Sequence, residues 1–300
     1  MTQRFKSFQF EIDKPLSQLS TFGIGGPARF FYEVQKIEEL QSLLLYCDAQ
    51  RLPFFILGKG SNSLFDDRGF DGLVILNKIA FCQFEWPVVH VGAGYSFSLL
   101  GTQTARKGWS GLEFASGIPG SVGGAIYMNA GANGHETSQT LIEATFVNAK
   151  GEIEVLQRDQ IDFSYRFSSF QKKKGSIVSA KFLLTPSEAA RKQQLRIIDY
   201  RMRTQPYGDK SAGCVFRNPD PHSAGALIQQ SGLKGKQLGG AEVSTLHGNF
   251  IINKSGASSK EILALVAHVQ QIVKAKTGVD LEMEIRCVPY CLEDEADVSR

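Results

Sequence analysis

The stretch ASGIPGSVGGAIYMNAGANG (residues 115–134) places Gly117, Gly120, Gly123, Gly124, Gly131 and Gly134 within twenty residues. Such density weakens regular structure, because each glycine loses more backbone freedom on ordering than any other residue. Ile118, Val122, Ile126 and Met128 interrupt the glycines, which argues against a plain flexible loop. Pro119 reads as the opening of a short helix whose first turn holds Ser121 and Val122, presenting free N–H groups and a positive dipole end to a diphosphate.

A second glycine segment lies upstream. LGKGSN (57–62) follows the apolar run 54–57, and glycines at a strand end let backbone N–H groups approach an anion closely. It lacks the last glycine of GxGxxG, and its Gly-Lys is followed by Gly60 rather than Ser or Thr, so neither standard nucleotide fingerprint applies. Spacing alone points to a phosphate cradle and leaves the ligand unnamed.

The elements around these segments read as mixed α and β. Leu40, Leu43, Leu44 and Cys47 recur at helical spacing, residues 54–57 and 73–77 read as strands, and 88–91 as another. Residues 97–107 read as a helix, and 141–147 with 152–156 as a hairpin about Lys150 and Gly151. Residues 177–184 supply a further strand, and 187–203, between Pro186 and Pro206, have helix propensity with a boundary near Gln205. Ser258 and Glu261 form a capping box ahead of Ile262, Leu265, Val266, Val269 and Val273, and 281–288 reads as a closing strand. The last dozen residues, with Glu293, Asp294, Glu295 and Asp297, read as a disordered tail.

Composition narrows the partners. The 300 residues carry 33 Lys and Arg against 30 Asp and Glu with no long run of like charge, so no nucleic-acid footprint is expected. Five widely spaced cysteines without a CxxC pair suit reduced thiols in a cytoplasmic protein and no metal site. No basic-then-apolar leader opens residues 1–10 and no run reaches 18 apolar residues, so export and membrane spanning are not expected. No obligatory protein partner is evident.

Six segments carry a resemblance: LSTFGIGGPARF (19–30), LGKGSNSLF (57–65), GIPGSVGGAIYMNAGA (117–132), YRFSSF (165–170, from Tyr165), SAGCVFRNP (211–219) and LEMEIR (281–286). In this order they resemble the UDP-N-acetylenolpyruvoylglucosamine reductases of bacterial cell-wall synthesis, over nearly the whole chain. The resemblance implies an α+β protein: a FAD-binding fold of the vanillyl-alcohol oxidase type in two α/β lobes, plus a C-terminal α+β substrate domain. It divides the chain as 1–80 first FAD lobe, 81–205 second FAD lobe and 206–300 substrate domain. It implies non-covalent FAD held by Gly58, Gly60, Ser61, Asn62, Ser63, Gly117, Pro119, Gly120, Ser121, Val122, Gly123 and Gly124, with Arg201 near the flavin ring.

The family reaction implied uses NADPH to reduce FAD, after which the enolpyruvyl ether of UDP-N-acetylglucosamine takes hydride and a proton to give UDP-N-acetylmuramate. Negative charge must move into the substrate carboxylate, so the site needs groups that stabilise a developing enolate. Arg166 matches the family's catalytic arginine, and a guanidinium fork suits a carboxylate gaining charge. Glu284 matches the catalytic glutamate, although by alternation alone it is any outward residue of a half-buried strand. Cys214 stands where the proton donor is usually serine; a thiol, with an ordinary pKa near ~8.5, is a better acid than an alcohol. Tyr165, Asn218, Lys234 and His247 match substrate-side positions. Asn133 departs from the family, which often shows an aromatic residue there. No long insertion follows NFIIN (249–253), so the chain resembles the shorter class, without a tyrosine-bearing loop over the substrate.

Two rival readings remain from the residues: another FAD-dependent oxidoreductase of the same cofactor fold, such as an alcohol or sugar oxidase, and a non-catalytic nucleotide-sugar-binding protein. SAGCVFRNP and LEMEIR weigh against the first.

Overall fold

Apolar runs and helical periodicities fold into two units, each built around its own buried cluster. The computed structural model describes residues 8–291, so the acidic stretch with Glu293, Asp294, Glu295 and Asp297 lies outside the described residues. Among the described residues the first unit comprises 8–11, 31–59 and 73–201; the second comprises 12–30, 60–72 and 202–291. Among the described residues the α-helices are α1 (Ile37–Gln50), α2 (Phe97–Arg106), α3 (Val122–Tyr127), α4 (Ala190–Thr204), α5 (Ala224–Gln230) and α6 (Ser259–Thr277). None is long and apolar enough to cross a membrane.

In the first unit, α1 buries Leu40, Leu43, Leu44 and Cys47 on one face and ends at Arg51 in the left-handed conformation. The strand Phe54–Leu57 then runs parallel to Leu73–Leu76 of the strand Phe70–Asn77. A five-stranded antiparallel sheet follows in the order Ile153–Gln157, Leu141–Asn148, Gly175–Leu183, Val88–Gly92 and Cys82–Glu85. Its core joins Val89, Val91, Phe97, Phe114, Val122, Ile126, Phe146, Phe170 and Phe182, so α2 and α3 are held by apolar burial against the sheet rather than by their own propensity.

In the second unit, a four-stranded sheet runs in the order Ser211–Cys214, Phe250–Asn253, Ala241–Val243 and Gln237–Leu238. The capping box of α6 forms as expected, Ser258 Oγ accepting from Glu261 N–H while the Glu261 carboxylate accepts from Ser258 N–H. Asp67 caps the same end, its Oδ1 accepting from Ser259 N–H at 2.7 Å. Ile262, Leu265, Val266, Val269 and Val273 pack on Phe22, Val215, Phe216 and Ile251.

Two expectations change. The strand expected over 281–288 is regular only at Arg286–Val288, parallel to Ser63–Phe65. Upstream the chain serves another partner: Met283 bridges Phe216, and Arg217 N–H donates to Glu282 O. The changeover between these partners near Glu284 breaks the strand. Helix α3 starts at Val122 with Ser121 as its N-cap, and its first N–H groups are not free. Val122 N–H donates to Tyr95 O, Gly123 N–H to Ala93 O and Gly124 N–H to Ser121 Oγ, so the helix end expected to face a diphosphate is spent on the fold.

Candidate functional site

Gly58 of the first glycine segment and Ser121 of the second meet inside the first unit. A Cβ on Gly58 would occupy the place of the Ser121 hydroxyl, and one on Gly123 would come within 3.0 Å of Ala93 Cβ, so side chains are excluded where the backbones approach. With the α3 N–H groups committed, the N–H groups of Gly58 and Lys59 are among the first-segment donors still available to an anion, no acceptor for them being present among the described residues. In the second unit, Gly60 adopts φ +61° and its carbonyl accepts from Thr21 N–H. A Cβ there would collide with the Leu19 carbonyl, which is why this position needs glycine.

Asn62 and Ser63 have work in the fold as well. Asn62 Nδ2 donates to Glu284 O at 3.2 Å and Asn62 O accepts from Arg286 N–H at 2.9 Å, while the Ser63 carbonyl accepts from Ser20 Oγ. In the second glycine segment, Gly117 N–H donates to Ser98 Oγ at 2.8 Å and the Gly120 carbonyl accepts from Phe97 N–H.

Arg166 and Tyr165 form the two-residue loop of a hairpin, since Ser164 pairs with Phe167 and Phe163 with Ser168. Arg166 sits at φ +56°, a left-handed backbone that costs energy for an arginine and fixes the direction of the side chain. Its guanidinium lies 4.7 Å from the Tyr165 ring centre, and Nη2 donates to Gly131 O at 3.1 Å. Gly131 belongs to a second hairpin, in which Ala132 pairs with His135 across Asn133 (φ +55°) and Gly134 (φ +79°). Positive φ at both positions is the type I′ pattern that Asn-Gly favours. This explains Asn133, which occupies an exposed turn.

Sequence reasoning passed over Asn129, the residue joining these hairpins. It is fully buried at φ +43°, its Nδ2 donating to Glu136 Oε2 at 2.8 Å and Ser164 O at 3.0 Å, and its Oδ1 accepting from Ser138 N–H. The available signal was an Asn between Met128 and Ala130, a polar residue at the end of an apolar helical turn. Arg201 lies on the buried face of α4 at 8% exposure, with Ala190, Gln194 and Ile197.

In the second unit the backbone brings Cys214 and Glu284 together. Glu284 N–H donates to the carbonyl of Val215, next in chain to Cys214, at 2.7 Å. Cys214 ends the strand Ser211–Cys214 after Gly213 at φ +77°. Asn249, fully engaged, clamps the same turn by donating to Phe216 O and accepting from Phe216 N–H. Other thiols are set apart by their surroundings: burial pushes Cys47 up to about 12, Cys82 up to about 11, and Cys287 upward. Such thiols stay protonated and inert.

Lys234 and His247 also come together. Lys234 Nζ donates to Leu246 O at 3.2 Å, and the His247 pKa is lowered by burial and then by the Lys234 charge. His247 Nδ1 accepts from Asn249 N–H at 3.2 Å, leaving Nε2 as the nitrogen that can carry a proton in the neutral ring. Asn218 is exposed, and its Oδ1 accepts from Ala224 N–H at the start of α5.

Comparison with known proteins gives a consistent result. The family described as "UDP-N-acetylenolpyruvoylglucosamine reductase, C-terminal domain" matches residues 205–288, and "FAD binding domain" matches 28–157. The UDP-N-acetylenolpyruvoylglucosamine reductase of Protochlamydia amoebophila is 60% identical over 283 residues, covering 94% of this chain and 95% of the relative. That of Chlamydia trachomatis serovar A is 46% identical over 289 residues, 95% and 99% of the two chains. The crystal structure of UDP-N-acetylenolpyruvylglucosamine reductase from Thermus caldophilus superposes with a TM-score of 0.80 at 34% identity, covering 94% of this chain and all of that one.

Proposed function

The chain belongs to the UDP-N-acetylenolpyruvoylglucosamine reductase family, and from that premise we propose that it reduces the enolpyruvyl ether of UDP-N-acetylglucosamine to UDP-N-acetylmuramate for peptidoglycan, with FAD as cofactor and NADPH as reductant, in the cytoplasm. The observation that carries the assignment of roles is the hydrogen bond from Glu284 N–H to Val215 O, which brings the Glu284 backbone beside the residue that follows Cys214.

The residues present fit the cofactor: close backbone approach at Gly58, Ser121 and Gly123, and the uncommitted N–H groups of Gly58 and Lys59, suit a diphosphate. Gly58, Gly60, Ser61, Asn62 and Ser63 with Gly117, Pro119, Gly120, Ser121, Val122, Gly123 and Gly124 are proposed to hold FAD, and Arg201 to supply positive charge near the flavin. The chemistry supplied by bound FAD is relay of one hydride equivalent from NADPH to the terminal carbon of the substrate double bond.

The protein's own residues manage the charge and the proton. Hydride addition leaves an enolate whose charge spreads into the substrate carboxylate, and the Arg166 guanidinium, held at a fixed angle by its hairpin, stabilises that charge. Glu284 shares a proton with the carboxylate or enolate. Cys214 gives its thiol proton to the carbon next to the ether oxygen, completing addition of one hydride and one proton across the double bond. Tyr165, Asn218, Lys234 and His247 are proposed to contact the sugar and diphosphate of the substrate. The three-part division into 1–80, 81–205 and 206–300 is proposed on the same basis. Mass spectrometry of turnover with the enolpyruvyl substrate and NADPH is expected to show a product heavier by two hydrogens; substrate recovered unchanged with the flavoprotein intact would reject the reading.

A further inference from the structure

The hairpin that carries Arg166 holds more than one cation. Phe163, Tyr165 and Phe167 each lie under a positive group: the Arg158 guanidinium 4.7 Å from the Phe163 ring centre, that of Arg166 4.7 Å from Tyr165, and Lys172 Nζ 5.4 Å from Phe167. The strand pairing separates them. Directly opposed residues share a face, so Phe163 with Ser168 lies on one side of the hairpin and Ser164 with Phe167 on the other. Ser168 is wholly buried and Ser164 is exposed, which makes the Phe167 side the outward one. The Lys172 ammonium therefore stands on the outward face, over the residue next in chain to Arg166.

Neighbouring cations are already engaged. Arg158, on the other face, donates from Nε to Ser138 O at 2.9 Å and from Nη1 to Ile161 O at 3.1 Å. Lys173 Nζ pairs with Glu154 Oε2 at 2.7 Å. Lys172 has no carboxylate within ion-pair distance among the described residues. Its place is fixed all the same, because Gln171 Nε2 donates to Arg166 O at 3.1 Å and to Tyr127 O at 2.8 Å, while Ser168 Oγ donates to Tyr127 O at 2.7 Å. The chain from Arg166 to Lys172 is thus held as one loop that presents an ammonium without a counter-charge. An ammonium is a compact point charge, and an arriving phosphate meets no resident anion to displace.

We propose that Lys172 binds the 2′-phosphate by which NADPH differs from NADH, and so sets the preference for reductant. This rests on reading the Arg166 hairpin as part of the reaction site with NADPH as reductant, and adds to it the residue that tells the two nicotinamide nucleotides apart. A phosphate monoester carries about −1.5 to −2 charge at neutral pH, more than either phosphate of a diphosphate bridge, so a lone ammonium finds its strongest partner there. Arg166 is committed to the reacting carboxylate at the hairpin tip. Lys172, exposed and set to one side of that tip, suits a group remote from the reacting carbon, as the 2′-phosphate is remote from the nicotinamide ring.

The test measures kcat and KM for NADPH and NADH, and the dissociation constants of NADP+ and NAD+ from the perturbed flavin absorbance, in the purified holoenzyme. The proteins compared are wild type, Lys172→Met, Lys172→Arg and Lys174→Met, the last removing an exposed charge two residues further along. Lys172→Met is expected to raise the KM for NADPH and the dissociation constant of NADP+ by about tenfold, the usual scale for a hydrogen bond between charged groups. Its kcat, its constants for NADH and NAD+, and its KM for the UDP-sugar substrate should stay unchanged. Lys172→Arg should keep the preference for NADPH, and Lys174→Met should match wild type. An unaltered ratio of NADPH to NADH constants in Lys172→Met, or an equal loss in Lys174→Met, would overturn the proposal while leaving the family reading in place. A raised KM for the UDP-sugar with the NADPH constants intact would also overturn it, by assigning Lys172 to the diphosphate of that substrate. Wild-type flavoprotein that oxidises neither nucleotide would instead defeat the underlying reading of the reaction.

Discussion

Arg166 Nη2 donates to the carbonyl of Gly131 at 3.1 Å, which ties the tip of one two-residue hairpin to the first strand of another. The bond holds a guanidinium whose backbone is already restricted by φ +56°. Replacing Arg166 by Lys keeps the charge but loses the fork. Turnover should fall by roughly 100-fold, as when one donor to a developing oxyanion is removed. Flavin bleaching by NADPH should be unaffected, and steady-state turnover equal to wild type would refute the role.

Asn129 carries both hairpins, so its loss should act on stability and turnover together. Asn129→Ala strands the Ser138 N–H and the Glu136 carboxylate and puts an alanine at φ +43°. A loss of roughly 1–3 kcal/mol in urea unfolding is expected from the unpaired buried groups alone. Turnover should fall while the Cys214 thiol reacts with alkylating reagent as in wild type. Full turnover in Asn129→Ala would show that the Arg166 hairpin needs no such anchor.

Cys214→Ser should remain active, because a hydroxyl can occupy the same place as proton donor. Cys214→Ala should lose substrate reduction by about 100-fold or more while NADPH still reduces the flavin, since general acid groups contribute on that scale. Equal turnover by the alanine variant ends the assignment of Cys214 as donor.

Folded His247 binds its proton more weakly than an unfolded histidine does, because it is buried beside Lys234. As pH falls through the ordinary histidine value near ~6.5, the unfolded chain takes up protons that the folded chain resists. The His247 contribution to stability is therefore full above that value and lost below it. Urea midpoints for wild type should drop between about pH 7.5 and about pH 5.5 more steeply than those for His247→Gln. Parallel curves for the two proteins would remove His247 from the account.

Helices with repeated apolar spacing were legible in the sequence, as α1 and α6 demonstrate, because periodicity records which face is buried. The strand about Glu284 was misread for a physical reason: alternation reports a half-buried surface and is silent on a chain that changes partner between Phe216 and Ser63. At α3 the glycine density announced a close approach, but which N–H groups were spent depended on the carbonyls of Ala93 and Tyr95, some thirty residues away in sequence. The Asn133-Gly134 turn was written in the sequence and was hidden by the surrounding glycines. Arg166, Cys214 and Glu284 are singled out through resemblance alone, since nothing in spacing distinguishes them from surface or strand residues.

Anaerobic addition of NADPH to the purified protein, followed by the enolpyruvyl ether of UDP-N-acetylglucosamine, tests the central claim most directly through the visible spectrum. Flavin absorbance should bleach with NADPH and return stoichiometrically with the ether. A protein without flavin bands, or one whose bleached flavin is not reoxidised by that substrate, contradicts the account.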